Sequence, residues 1–167
     1  KEMIKRKVAI FPGSFEPLTL GRLDLIRHRS LLLVRLAVAV MINTSKKPIF
    51  TVEERVGQIK EAVEQADLDN VSVITADELT VSLMNKIGAD YLLRGLRNFN
   101  DFQYERDIAA MNQHLDDEIE TIFMMANPNY QHLSSSLFKE VSRFGGDISA
   151  YLPGNINEQL SEKLRGN

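Results

Sequence analysis

Two apolar patterns alternate along the chain, and this alternation most constrains the fold. Short, almost wholly apolar runs rich in β-branched residues occur at 8–11, 36–42, 71–75, 91–93 and 121–125. Longer stretches with helical spacing lie between and after them, at 23–32, 52–65, 81–87, 101–114, 136–144 and 156–164. Strands that are buried on both faces of a parallel sheet need no polar alternation, and crossover helices connect them. The sequence therefore predicts the α/β class, with a doubly wound, five-stranded parallel sheet.

Length and local signals predict a single domain over residues 1–167. A chain of 167 residues has the usual size of one domain, and it contains no internal repeat or long linker. Thr51 followed by Glu54 is a capping-box pattern at the start of the second helix, and Gly145 with Gly146 ends the fifth. These signals agree with the helices that the apolar periodicity predicts.

Composition excludes several classes of protein. The formal net charge of −3 argues against binding to nucleic acid or to a membrane by bulk charge. The chain has no cysteine, which excludes disulfide scaffolds, thiolate zinc sites and cysteine nucleophiles. The longest mostly apolar stretch, 31–42, is interrupted by Arg35 and is too short to span a bilayer. We expect a cytoplasmic protein in which any anion site is local.

Open parallel sheets bind ligands beyond the carboxyl ends of their strands, so the loops there are the candidates for chemistry. The first loop offers Ser14, Arg22 and a helix start near Gly21, although such a loop is more often only a turn. The loop after the second strand carries Lys46 and Lys47, which are either phosphate contacts or solvated surface lysines.

The loop after the fourth strand carries the stronger signal. Arg94 and Arg97 flank a flexible glycine at the end of a strand, where two guanidinium groups can grip two anionic groups. Asp101 and Glu105 follow on one helical face, as partners of these arginines or as a solvated face. Glu105 could instead face a nucleotide ribose.

After the fifth strand, three consecutive hydroxyl residues precede a helix. Ser134 to Ser136, with Lys139 one turn later, form either an anion-binding helix start or a multiple-serine cap. His132 and the other two histidines do not have metal-ligand spacing, so we predict no protein-bound metal. Any Mg²⁺ would be carried on the phosphates of a ligand.

Six segments in order resemble the phosphopantetheine adenylyltransferase family of the nucleotidyltransferase superfamily, along essentially the whole chain. They are FPGSF at 11–15, TSKKP at 44–48, RGLR at 94–97, DFQYE at 101–105, MNQHL at 111–115 and SSSLFKEV at 134–141. The resemblance implies a Rossmann-like nucleotidyltransferase fold. It also implies that ATP and 4'-phosphopantetheine give dephospho-coenzyme A and pyrophosphate with Mg²⁺, in a homohexamer, with coenzyme A a candidate feedback ligand.

The resemblance also assigns residues to the site. The residues it implies for 4'-phosphopantetheine are Ser14, Lys46, Thr80 and Arg94. Those it implies for ATP are Ser14, Phe15, Arg22, Gly95, Leu96, Arg97, Glu105, Tyr130, Gln131, His132, Leu133, Ser134, Ser135 and Ser136. Of these sets, Arg22, Lys46 and Arg94 are the candidate catalytic residues.

The chain departs from the family pattern in the first loop. The family motif T-x-G-H is here Thr19-Leu20-Gly21-Arg22, and Glu16 stands where the family usually has Asp. Residues 31–35 also lack the turn residues expected before the second strand. Either the chain has diverged at its catalytic loop, or the residue assignment of this stretch differs from the natural one. Arginine is longer than histidine and permanently charged, so we expect reduced or absent turnover with retained ligand binding. The alternative function is a non-catalytic nucleotide-binding homologue.

Overall fold

The structure, a computed structural model, describes residues 7–42, 47–131 and 135–166. For residues 135 and 136 it describes the backbone alone. The strands are β1 (Val8–Gly13), β2 (Arg35–Met41), β3 (Val71–Ala76), β4 (Tyr91–Leu96) and β5 (Glu120–Met125). The helices are α1 (Leu20–Ser30), α2 (Val52–Gln65), α3 (Thr80–Ile87), α4 (Phe99–Leu115), α5 (Ser135–Arg143) and α6 (Gly154–Arg165). Each predicted strand and helix is present, with boundaries that differ by a few residues.

The five strands form one parallel sheet in the order β3-β2-β1-β4-β5. The chain runs outward from β1 through β2 to β3 and then crosses back to β4 on the other side. This reversal creates a crevice at the carboxyl ends of β1 and β4. The predicted doubly wound α/β class is confirmed.

The sheet separates two apolar cores, because successive residues of a strand point to opposite faces. Ala9 and Phe11 of β1 pack in one core, whereas Ile10 packs in the other. The first core is closed by α1, α2, α5 and α6, and the second by α3. Helices therefore cover both faces, as burial of a central parallel strand requires.

The two outer strands are less buried than the sequence predicts. In β3, only Ala76 is fully buried, and in β5 only Met124 is. Both strands were expected to be covered on both faces, and this expectation is wrong for them. They lie at the two ends of the sheet, where among the described residues a strand pairs on one side only.

Local caps set the helix boundaries. The predicted capping box at Thr51 and Glu54 is present, with both hydrogen bonds formed. Helix α1 begins earlier than predicted because the Thr19 hydroxyl accepts a hydrogen bond from the Arg22 amide at 3.3 Å. Helix α5 ends as predicted, because Gly145 adopts a φ of 80° and the Gly146 amide donates to the Val141 carbonyl. Within the described ranges, no helix is both long and apolar enough to cross a membrane.

The turn between α1 and β2 is held by a residue distant in sequence. The Asn70 side-chain amide donates hydrogen bonds to the carbonyls of Ser30 and Leu33, at 2.7 and 3.0 Å. Leu31 and Leu32 are 78% and 66% exposed and contribute little packing. Asn70, which lies just before β3, thus supplies the hydrogen bonds that local turn residues usually provide.

We predict that Asn70→Ala lowers the free energy of unfolding by about 1–3 kcal/mol, because two hydrogen bonds are lost and the Leu33 carbonyl loses the Asn70 amide. Urea unfolding followed by circular dichroism measures the change. Asp69→Ala, at the exposed neighbouring position, is the matched control and should change stability by less than about 0.5 kcal/mol. Equal losses in the two variants would show that the amide does not hold the turn.

Candidate functional site

A cavity of about 580 Å³ opens at the carboxyl ends of β1 and β4, at the point where the strand order reverses. Its wall is formed by the ends of these strands, the start of α1, the first turns of α4 and the segment after β5. The lining residues are Phe11, Pro12, Gly13, Ser14, Thr19, Gly21, Arg22, Leu25, Arg94, Gly95, Arg97, Asp101, Tyr104, Glu105, Ala126 and Tyr130. Loops from three strands therefore meet in one polar crevice.

Two glycines allow the walls of the cavity to approach one another. A Cβ atom on Gly21 would lie 2.9 Å from the Cβ of Tyr130, so glycine lets the start of α1 pack on the segment after β5. A Cβ atom on Gly13 would lie 3.0 Å from Nη1 of Arg22. The small residue therefore leaves space for the Arg22 guanidinium beside the end of β1.

Arg94 is held by a bidentate ion pair. Its Nη2 and Nε atoms donate to the two carboxylate oxygens of Glu105 at 2.6 and 2.8 Å, and its Nη1 donates to the Pro12 carbonyl at 3.0 Å. Glu105 is the buried residue of α4. The sequence left Glu105 as an arginine partner or a ribose contact, and the structure assigns it to Arg94.

Arg97 has a parallel arrangement with Asp101. Its Nε and backbone amide donate to Oδ2 of Asp101 at 3.0 and 2.9 Å, and its Nη2 donates to Oδ1 at 3.2 Å. Desolvation by burial raises the pKa of Asp101, but the hydrogen bonds and charge of Arg97, with the charge of Arg22, lower it overall. Asp101 therefore remains ionised at neutral pH.

Arg22 differs from the other two arginines because no carboxylate in the described part of the chain lies within ion-pair distance of it. Its guanidinium carbon lies 5.3 Å from the centre of the Phe15 ring. Desolvation and the positive charges of Arg94 and Arg97 lower the pKa of Arg22 to about 10. Arg22 thus remains protonated at neutral pH, and an anion entering the cavity would relieve the repulsion.

The charges of the cavity favour a polyanion. Arg22, Arg94 and Arg97 face only two carboxylates, those of Asp101 and Glu105, so the lining carries one net positive charge. The carboxylates fix two of the guanidinium groups in place. A cluster of preoriented cations with one uncompensated charge can bind linked phosphate groups.

The structure brings seven of the seventeen predicted site residues together in the cavity. Ser14, Arg22, Arg94, Gly95, Arg97, Glu105 and Tyr130 line the cavity. Phe15, Leu96, Gln131 and Thr80 do not line it: the Phe15 and Leu96 side chains are buried in the core, and the Gln131 amide donates to the Ala126 carbonyl. Thr80 lies at the start of α3, on the β3 side of the same sheet edge.

The other predicted residues cannot be placed. Lys46, His132, Leu133 and Ser134 lie outside the described residues. Ser135 and Ser136 form the first turn of α5, but their side chains are likewise outside the description. The serine-rich anion cradle stays a prediction. In the portions of the chain that are described, no group of three or more His, Asp or Glu side chains is arranged to hold a metal ion.

The sequence analysis did not predict a buried charged pair between the loop after β1 and helix α2. Glu16 and Arg55 are each only 5% exposed, and Oε2 of Glu16 lies 3.3 Å from Nε of Arg55. The signal for Arg55 was its position in α2, between Val52 and Ile59 on the apolar face of the helix. A charged residue on a buried helical face requires a partner.

Comparisons with known proteins agree on one family. The cytidylyltransferase-like family matches residues 10–141. A phosphopantetheine adenylyltransferase of Limosilactobacillus reuteri is 72% identical over 95% of this chain and 90% of its own length. The corresponding protein of Lactiplantibacillus plantarum is 51% identical over 93% of this chain and 94% of its own length.

A solved structure shows the same fold. A bifunctional NMN adenylyltransferase/ADP ribose pyrophosphatase of Francisella tularensis superposes with a TM-score of 0.74 over 96% of this chain and 50% of its own. Its sequence identity is 15%, so this likeness concerns the fold alone. The Rossmann-like nucleotidyltransferase fold expected from the sequence is confirmed.

We predict that Glu105→Ala lowers the free energy of unfolding by about 1–3 kcal/mol, because it leaves the partly buried Arg94 guanidinium without its bidentate partner. Urea unfolding measures this loss. Asp107→Ala is the matched control on the same helix, since the pair of Asp107 with Arg106 is exposed at both ends. It should cost at most about 0.5 kcal/mol. An equally small loss for Glu105→Ala would mean that Arg94 keeps its position unaided.

Proposed function

The chain belongs to the phosphopantetheine adenylyltransferase family, and from this membership we propose that the arginine-lined cavity is where ATP is held for attack. The enzyme transfers the adenylyl group of ATP to 4'-phosphopantetheine, giving dephospho-coenzyme A and pyrophosphate in coenzyme A biosynthesis. The observation that carries the site assignment is the convergence of Arg22, Arg94 and Arg97 on one cavity at the topological switch point.

The sheet order supports separate halves of the site for the two substrates. The predicted ATP residues follow β1, β4 and β5. Of the residues predicted for 4'-phosphopantetheine, Lys46 and Thr80 follow β2 and β3 on the opposite side of β1, and Arg94 in β4 lies where the two halves meet. Ser14, at the end of the central strand, lies between the two sides and is exposed to the cavity. We therefore place the nucleotide over β1, β4 and β5, and the phosphate of 4'-phosphopantetheine over β1, β2 and β3.

The chemistry requires positioning more than proton transfer. The nucleophile is a phosphate oxygen of 4'-phosphopantetheine, which is already ionised and needs no general base. It attacks the α-phosphorus of ATP in line, and pyrophosphate leaves. Arg22 and the paired Arg94 and Arg97 would offset the negative charge that develops on the transferring and leaving groups.

Mg²⁺ fits this arrangement as an ion carried on the ATP phosphates. The two carboxylates of the cavity, Asp101 and Glu105, are engaged by arginines, and the net positive lining suits a triphosphate. Carried on ATP, Mg²⁺ would supply positive charge that neutralises part of the phosphate charge beside Arg22, Arg94 and Arg97. Use of ATP supports a cytoplasmic location for the enzyme. Coenzyme A contains both the nucleotide and the pantetheine parts, so it would fit the same two halves as a feedback ligand.

Arg22 determines how fast the site works. It occupies the histidine position of the family motif, at the start of α1, where the side chain faces the cavity. An arginine there is longer, and its guanidinium already contacts the Phe15 ring. It can bind phosphate as a fixed cation, but its strong hold on ground-state phosphates favours binding over turnover. We therefore propose slow transfer with intact ATP binding.

Helix α4 supports assembly into a homohexamer. It has 17 residues, of which only Glu105 is buried, although its sequence carries an apolar stripe at helical spacing. The stripe consists of Tyr104, Ile108, Met111 and Leu115, and three of its members are more than half exposed. The neighbouring edge strand β5 exposes Met125. An apolar helix face of this length beside an open sheet edge is typical of a surface covered by another copy of the chain.

We predict that Arg22→His raises turnover by at least about tenfold, because an imidazole stabilises the transition state without holding ground-state phosphates as strongly. Pyrophosphate release from ATP, Mg²⁺ and 4'-phosphopantetheine is the measurement. The ratio of variant to wild-type rate should change between about pH 6 and 8, where an imidazole titrates, whereas Arg22 with its pKa of about 10 remains charged.

The matched control is Arg29→His, the same substitution on the same helix at a position outside the cavity, which should leave the rate unchanged. Equal, robust rates for wild type and Arg22→His would show that Arg22 does not limit the site. If neither protein released pyrophosphate or bound ATP in calorimetry, the assignment of the cavity would be wrong.

We predict that the wild-type protein is a hexamer and that Met111→Arg shifts it to smaller species, because a charge is placed within the apolar stripe of α4. Light scattering after size exclusion measures the mass. Phe144→Arg, at an 82% exposed position after α5, is the control and should remain hexameric. A monomeric wild type, or an unchanged Met111→Arg, would contradict the role of this stripe.

A further inference from the structure

The buried pair of Glu16 and Arg55 lies where two loops of the candidate site meet. Glu16 belongs to the loop after β1, and Arg55 lies in the first turns of α2, just beyond the loop after β2. Neither side chain lines the cavity. Their side chains nevertheless make hydrogen bonds to the backbone of both loops, the one after β1 and the one after β2.

Glu16 binds the second loop through its backbone. Its Oε1 accepts hydrogen bonds from the amides of Ile49 and Phe50, at 2.6 and 2.9 Å. Its Oε2 accepts no hydrogen bond from any described residue and lies 3.3 Å from Nε of Arg55. One carboxylate thus fixes two consecutive amides of a segment that begins, in the described residues, at Lys47.

Arg55 closes the connection from the other side. Its Nη1 donates to the Ser14 carbonyl at 2.8 Å, and its Nε donates to the Thr51 carbonyl at 3.4 Å. Ser14 is the cavity residue at the end of the central strand. The side chain therefore joins the backbone of the first loop, the Glu16 carboxylate and the start of α2.

Stability alone does not account for this pair. Phe15, Leu18 and Phe50, which surround it in sequence, have no exposed surface, so both charges are removed from water. Burial of two charges costs desolvation free energy that their attraction seldom exceeds, and apolar residues of similar size often serve stability as well. The need to hold specific backbone groups does account for it. A carboxylate accepts from the two loop amides, and a guanidinium donates to two carbonyls while it pairs with that carboxylate.

The two sides of the site depend on the pair to different degrees. The nucleotide cavity has its own supports, since Glu105 and Asp101 hold Arg94 and Arg97. The segment that follows Lys47 has its amides at Ile49 and Phe50 fixed by Glu16. Loss of the pair would therefore release the second loop and the Ser14 carbonyl, and leave the arginines of the nucleotide cavity in place.

We propose that Glu16 and Arg55 are positioning residues that hold residues 47–50, and with them Lys47, in register with Ser14 for binding the phosphate of the acceptor. This inference rests on the proposed function. It adds that acceptor affinity, and not ATP affinity, is set by a buried pair that touches neither ligand.

The test measures the dissociation constants of ATP and of 4'-phosphopantetheine separately by calorimetry for wild type, Arg55→Lys, Arg55→Met and Glu16→Gln. Lysine keeps the charge but cannot make both contacts of the guanidinium, and glutamine keeps an oxygen for the two amides. We expect affinity for 4'-phosphopantetheine to fall about tenfold or more in Arg55→Met and by less in the two conservative variants. ATP affinity should stay within about twofold of wild type in all three.

Gln159→Ala is the matched control, because it removes a 2.7 Å hydrogen bond to the buried Gln58 of α2, away from both loops. It should lower the melting temperature without changing either dissociation constant. If the Arg55 and Glu16 variants weakened both ligands equally, or weakened neither, the positioning role would be overturned. If Arg55→Met did not fold, the two conservative variants would decide. Wild type that binds ATP but no 4'-phosphopantetheine would refute the proposed acceptor, and this inference with it.

Discussion

The pairing of β1 between β2 and β4 is the constraint on which the rest of the structure depends. Because the chain leaves β1 toward β2 and later returns to the other side at β4, the loops after these strands diverge and leave a crevice between them. Every cavity arginine takes its place from this arrangement: Arg22 lies in the first turn of α1, the helix after β1, Arg94 lies in β4, and Arg97 directly follows β4. Sheet pairing made by the backbone thus decides which side chains share a site.

Within the crevice, charge pairing determines what the arginines can do. An unpaired cluster of three guanidinium groups would repel itself, and the carboxylates of Glu105 and Asp101 reduce that repulsion while fixing two of the groups. Only Arg22 keeps an uncompensated charge in the described part of the site, and burial beside its neighbours lowers its pKa. The cavity therefore favours phosphate groups without being a strong, unselective anion trap.

The sequence predicted the elements and the cavity edge well, because period and burial act locally. It predicted the paired arginines but not their partners, since Glu105 could face Arg94 or a ribose until the distance between α4 and β4 was known. It placed Phe15 and Leu96 in the site, whereas their side chains enter the core; neighbouring residues of one motif point in opposite directions. The pair of Arg55 with Glu16 was not predicted, because Arg55 lies in α2 and Glu16 lies far from it in sequence, in the loop after β1.

The hydrogen bonds of Asn70 to the turn after α1 have a consequence for the order in which the molecule forms. The Asn70 side chain, which donates to the carbonyls of Ser30 and Leu33, follows them in the sequence by a whole β-strand and a helix. During synthesis, α1 and β2 emerge before the residue that completes their junction, and non-local contacts form late because loop closure must precede them. Local backbone bonds from the amides of Leu32 and Leu33 shape the turn early, and the Asn70 amide fixes it to the edge of the sheet once β3 is in place.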